Sequence, residues 1–173
     1  MGTIRTVTEA FIRLVKREIH EGAVLALADD VFEVKRTPSV LLQGPTLSEN
    51  GARRSQTRFI ERDRAALTFE SCRAPRLYHL DFDLVVTTDT EGELLDLTEK
   101  VARFYQTHPV LEIGAEGALN LTERLPLGGL KRVNLSNLRQ ASGRARIEDC
   151  PVYDGEVQRG KLVRDLVLDL QAH

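Results

Sequence analysis

The sequence predicts an α/β chain of the α+β kind, in which a mixed, largely antiparallel sheet is packed by an N-terminal helix and a central helix. Three observations carry this. Tyr78, Leu80, Phe82, Leu84 and Val86 alternate with His79, Asp81, Asp83 and Val85, the period-two pattern of a strand with one face on a core. Phe11, Leu14, Val15 and Ile19 recur at helical spacing near the N-terminus, and Leu94, Leu97, Val101 and Phe104 do so just after the alternating strand. A length of 173 residues suffices for one self-supporting core and is short for two, so residues 1–173 are read as a single domain.

The first helix is expected from about Thr8 to Glu21. Thr6 with Glu9 reads as a capping box, Arg13, Lys16, Arg17 and Glu18 form the polar side, and Gly22 marks the end. AVLALADD, residues 23–30, suits either a helical continuation or a buried strand, because periodicity does not separate the two. Phe32 and Val34 alternate with Glu33 and Lys35, and Val40 to Leu42 is a short apolar run, so 31–44 reads as extended and divided by Pro38. Two glycines, a proline and an Asn-Gly pair in GPTLSENGARRSQ predict an exposed loop around 44–57. Strand character returns at Thr57–Ile60 and Ala66–Glu70, on either side of a charged interruption at 61–64.

The alternating strand LYHLDFDLVVTT runs into a second capping box, Thr90 with Glu93, and a helix of about 16 residues that spans some 24 Å. Thr107, His108 and Pro109 stop it. Beyond, Leu119 and Leu121 suggest a short strand, LPLGG a turn, and 131–135 another strand or a poorly ordered stretch, so an irregular insertion is expected around 111–137. Ala145, Ile147 and Asp149 share one parity, while Leu162, Arg164, Leu166, Leu168 and Leu170 share the other with Asp165 and Asp169 opposite. The Asp154-Gly155 pair is expected to reverse the chain between these two C-terminal strands.

Charge and composition exclude several functions. The 24 basic and 26 acidic residues give a formal net charge of -2, without the positive excess that non-specific nucleic-acid binding requires. Charges interrupt every apolar run and MGTIRTVTEAF lacks a signal-peptide core, so neither a membrane span nor secretion is expected, and a cytoplasmic origin is. Cys72 and Cys150 read as reduced, partly buried side chains. His20, His79, His108 and His173 are isolated, and no CxxC, HExxH or HxH occurs. His79 with Asp81 and Asp83 is the one nearby metal-capable set, and it reads as a polar strand face. GGLKR lacks the spacing of a phosphate loop, and no GxSxG nucleophile elbow is present. No catalytic residue, metal ligand or cofactor is therefore assigned, and the chain is not expected to be an enzyme.

The arginines are more informative. Arg53, Arg54, Arg58, Arg62 and Arg64 lie within twelve residues and are countered only by Glu61 and Asp63. One reading is a charged, solvent-facing hairpin. The other is a contact surface, since arginine pairs bidentately with carboxylates and is favoured at interfaces. On that reading Asp81 and Asp83, with Asp165 and Asp169 on the last strand, supply the opposite charge on a neighbouring copy.

The order of these elements resembles the tail terminator, or tail completion, proteins of tailed bacteriophages. The segments concerned are the helix TEAFIRLVKREI, the strand and loop SVLLQGPTLSENGARRSQ, the strand LYHLDFDLVVTTDT, the helix EGELLDLTEKVARFY and the last strand KLVRDLVLDLQ. The resemblance implies a mixed sheet with packed helices and a cofactor-free structural virion protein. It also implies a homohexameric ring, assembled in the host cytoplasm, that caps the tail tube or sheath, ends polymerisation and meets the head connector. The arginine loop at Pro45–Arg58 would then face a neighbouring subunit or the tail, and the polar face of the Tyr78–Val86 strand another protomer. Head–tail neck and sheath-initiation proteins have similar small shapes. Readings of other classes are a small hydrolase built on His79 or His108, and a binding adaptor with a mobile arginine loop.

Overall fold

The computed structural model describes residues 4–27, 33–114, 117–132 and 137–161. In chain order the elements are α1 (Ile4–Glu18), β1 (Val24–Ala26), β2 (Ser39–Glu49), a 3-10 turn (Gly51–Arg53), β3 (Arg58–Asp63), β4 (Thr68–Arg73), β5 (Arg76–Thr88), α2 (Glu91–Thr107), β6 (Val110–Glu112), β7 (Ala118–Arg132), β8 (Arg139–Val152) and β9 (Val157–Lys161). Six strands form one sheet in the order β1-β2-β5-β8-β7-β6, and β3-β4-β9 form a second. Strand β1 runs parallel to β2, and the other described pairs are antiparallel. The mixed, largely antiparallel sheet with two packed helices is thus the predicted fold class.

The core lies between the helices and one face of the large sheet. Alternation in β5 puts Leu80, Phe82, Leu84 and Val86 inward, and each is at most 1% exposed. Strand β8 answers with Ala141, Ala145 and Ile147, and β2 with Val40 and Leu42. Helix α1 buries Val7, Phe11, Leu14 and Val15 on that face, where the Phe11 and Phe82 rings meet at 5.0 Å between centroids. Helix α2 adds Leu94, Leu97, Val101 and Phe104. Its N-cap is Thr90, whose side chain accepts a hydrogen bond from the Glu93 amide at 3.3 Å, as the sequence predicts.

Several expectations are corrected. Helix α1 begins at Ile4, so Thr6 lies inside it and cannot cap it, while Arg5 and Glu9 form an i,i+4 ion pair at 2.8 Å. The helix ends at Glu18, before the expected Glu21. Residues 24–26 take the strand alternative of the two left open for AVLALADD, but as a largely exposed strand and not a buried one. The segment 44–49, expected as loop, belongs to β2 and pairs with β5 across a register shift between Gln43 and Thr46. The loop proper is limited to 50–57. The charged residues Glu61, Arg62 and Asp63 continue β3, and the turn follows at 64–67.

The segment expected to be irregular contains β6 and the 15-residue β7, whose LPLGG sequence is strand and not turn. At the other end, the expected reversal at Asp154 and Gly155 does not occur between β8 and β9: β9 runs on in the direction of β8 and pairs with β4, because β4 leads straight into β5. Asp149 does not keep the parity of Ala145 and Ile147. It sits in a bulge at φ 59°, which passes the inward position to buried Cys150. The expected strand 162–170, with Asp165 and Asp169, lies outside the described residues. Both cysteines are free.

Candidate interaction surface

The second sheet extends the first. Only residues 74 and 75 separate β4 from β5, and only 153–156 separate β8 from β9. The antiparallel β5–β8 ladder therefore continues outward as the β4–β9 ladder, and β3 returns along β4 to complete a three-stranded arm. All six residues of β3 are exposed. Phe59 is 58% exposed, Ile60 52% and Val157 51%, so the arm presents apolar side chains that no element of the described chain covers. A three-stranded sheet wetted on both faces has little burial of its own to hold it rigid.

The five candidate arginines do not form one patch. Arg53 is anchored to the large sheet through Asp149, with Nη1 2.9 Å from Oδ2, and Arg54 reaches Glu49 at 3.3 Å. Asn50 donates from Nδ2 to Asp149 Oδ1 at 2.8 Å, so the bulge carboxylate fastens both ends of the 3-10 turn. Arg58 donates to the Gln158 side chain within the arm. Arg62 and Arg64 have no ion-pair partner among the described residues. Two of the five therefore belong to the root of the arm, two to β3 and one to the tip.

Asp81 and Asp83 face away from the helices, and each meets an arginine of β8. Asp81 accepts from Arg146 Nε and Nη2, both at 2.8 Å, while Asp83 accepts from Arg144 at 2.7 and 3.3 Å. These bonds raise the pKa of both guanidiniums above their ordinary value. The two aspartates are thus matched within the chain, and the face offers carboxylate–guanidinium pairs in place of bare negative charge. Arg144, Arg146, Asn50 and Asp149 were not singled out from the sequence. The signal was available in RARIED, 144–149, whose alternate arginines mirror the alternate aspartates of DFD.

Two histidines bear on the hydrolase reading. His79 lies beside Asp149, with Nδ1 3.9 Å from the carboxylate and 3.4 Å from the Asp149 amide, as part of the same bulge. His108 stacks on Phe104 at the end of α2, with Thr107 Oγ1 at 2.8 Å from Nδ1 and Glu18 at 3.8 Å from Nε2. That set has the order hydroxyl, imidazole, carboxylate. Its hydroxyl, however, also lies 3.1 Å from both the Arg103 and Phe104 carbonyls, the geometry of a helix end. An open groove between α1 and the start of β6 runs past it, lined among others by Ala10, Arg13, Leu14 and Val110. Among the described residues, no group of three or more His, Cys, Asp or Glu could hold a metal ion, and no helix is long and apolar enough to cross a membrane.

No family model and no curated protein matches the chain. Among solved structures, 100% of the chain is similar to the PVC sheath/tube terminator of an extracellular contractile injection system in its extended state, with a TM-score of 0.58 and 13% sequence identity. The chain spans 64% of the length of that terminator. A chain from the virion of a native gene transfer agent particle is similar over 83% of this chain and 90% of its own, at 16% identity and a TM-score of 0.40. At such identities the likeness is one of fold. The terminator fold implied by the order of elements is the fold that the first of these comparisons shows.

Proposed function

We propose that this chain is a structural protein of a phage tail or tail-like particle, which assembles as a ring on the end of the tail tube or sheath and stops its growth. The carrying observation is the fold shared over the full chain with a sheath/tube terminator. The arm supports the same reading, because an exposed sheet with apolar side chains open to solvent is a poor feature for a protein that stays alone. The partners on this reading are further copies of the chain, six in the ring, together with tube or sheath protein on one side and the head connector on the other. The chain would carry out no catalysis and hold no cofactor, and it would reside in the virion after assembly in the host cytoplasm.

Light scattering across a concentration series, with negative-stain imaging, tests this directly. The expected result is a closed species near six times the 19.4 kDa chain mass, which shortens tubes when added to polymerising tube protein. A chain that stays monomeric at every concentration, and leaves tube length unchanged, is the result that refutes the proposal.

A further inference from the structure

The arm holds like charges side by side. Arg58 stands opposite Arg73, and Glu61 opposite Glu70, in the β3–β4 register. Directly opposed like charges destabilise a strand pair. Glu70 is relieved by Arg159 of β9, whose Nε lies 2.7 Å from its carboxylate, and Arg73 has Asp154 at 3.9 Å. Glu61, on the outer strand, has no ion-pair partner among the described residues, and neither has Lys161 on the opposite edge. The two edges are also unpaired among the described residues, since β3 pairs only with β4 and β9 only with β4. On the face that carries Phe59 and Val157, the acids Glu61 and Asp63 thus line one open strand edge and the bases Arg159 and Lys161 the other, while Arg58 and Arg62 alternate with the acids along β3.

We propose that β3 of one copy pairs with β9 of the next copy in parallel, so that the arms join into one continuous sheet around the ring. This deepens the ring assembly proposed above and rests on it. The direction follows from topology: β3 and β9 both run antiparallel to β4 and hence parallel to each other. Neighbours in a six-membered ring are related by a rotation of about 60°, which preserves strand sense at a head-to-tail junction. The register follows from the rows already present, Phe59–Cys72–Val157 and Glu61–Glu70–Arg159, with Asp63–Thr68–Lys161 as the third. Extending each row by one strand puts the neighbour's Val157 beside Phe59, its Arg159 beside Glu61 and its Lys161 beside Asp63.

All three positions are then matched, apolar with apolar and acid with base. Glu156, just before β9, falls beside Arg58 in the same register and offsets the Arg58–Arg73 repulsion. A slip of two residues either way leaves Glu61 beside Val157 or Phe59 beside Arg159. The in-register junction is therefore selected by charge as well as by backbone pairing.

Two experiments on the full chain test this. In a Cys72→Ser background, Phe59→Cys and Val157→Cys variants are mixed, assembled and oxidised. Adjacent strands bring these positions within disulfide range, whereas inside one chain β4 separates them. The mixture is expected to cross-link and neither variant alone, because a head-to-tail junction never places like positions together. Independently, Glu61→Lys removes the repulsion with Glu70, so its melting temperature should equal or exceed that of the parent while assembly requires at least about tenfold more protein. Rings that form without the mixed cross-link, or a Glu61→Lys chain that assembles like the parent, overturn this junction and leave ring assembly standing. A parent chain that never self-associates, with or without tube protein, overturns both.

Discussion

Asp81 and Asp83 are two residues apart on one strand face, yet their ion pairs should differ in worth. The Asp81 and Arg146 side chains are 14% and 22% exposed, whereas those of Asp83 and Arg144 are 44% and 52% exposed. Truncating Asp81 strands a guanidinium that is largely withdrawn from water, so Asp81→Ala should cost about 2 kcal/mol in urea unfolding. Asp83→Ala should cost less than about 1 kcal/mol, because solvent screens the exposed pair. Equal losses would mean that burial is not what sets them apart. Glu123 on β7 is the opposite kind of carboxylate. Desolvation alone raises its pKa above the ordinary value, so the folded state holds its proton more tightly than the unfolded state does. Its contribution therefore becomes less favourable as pH rises from the ordinary carboxylate range through the raised folded value. Glu123→Gln should accordingly stabilise the protein at neutral pH and lose that advantage in acid, measured as the difference in unfolding midpoint at the two pH values.

At the scale of the element, legibility followed the regularity of the backbone. Strand β5 and helix α2 keep one period from end to end, and both were predicted within one or two residues of their bounds. Strand β7 was legible only at its start, at Leu119 and Leu121, because Pro126, Gly128 and Gly129 read as a turn, and because its register against β8 shifts three times, which scrambles the alternation. Its close approach to β8 is visible at Gly143, where a Cβ would lie 2.8 Å from the Leu125 carbonyl. The second half of β2 was lost in the same way. Gly44 and Pro45 signal a loop, but here they form the bulge that carries β2 across β5, with Gly44 at φ 142° and a Cβ position 2.8 Å from the Asp81 carbonyl. Both the dihedral and the space exclude a side chain. Gly44→Ala should thus destabilise by about 3 kcal/mol by calorimetry or urea unfolding, far more than a substitution in a true surface loop. Little or no loss would show that the bulge relaxes easily. The arginine cluster was legible as a cluster, but its division between the root and the outer strand of the arm depends on which strands pair. Residues 100 apart, such as Arg58 and Gln158, leave no local pattern of that pairing.

The whole molecule combines two kinds of cohesion with different responses to salt. The large sheet and its helices are held by apolar burial centred on Phe11, Phe82, Leu84 and Ile147, which screening by ions hardly affects. The arm is held to its neighbour, on the junction proposed above, by exposed charge rows and backbone pairing with a modest apolar contribution from Phe59 and Val157. At about 0.5 M salt the screening length falls to roughly 4 Å, comparable with the separation within an ion pair and shorter than the spacing between rows. Raising salt from about 0.05 M to 0.5 M should therefore shift assembly toward the monomer in sedimentation velocity, while the melting temperature of the monomer moves by no more than a few degrees. A Glu61→Gln chain should show a shallower salt response than the parent, because one charge row has been removed from the junction. Assembly that instead strengthens with salt would identify apolar burial as its driving force and would direct attention to the exposed Phe59, Ile60 and Val157 in place of the charge rows.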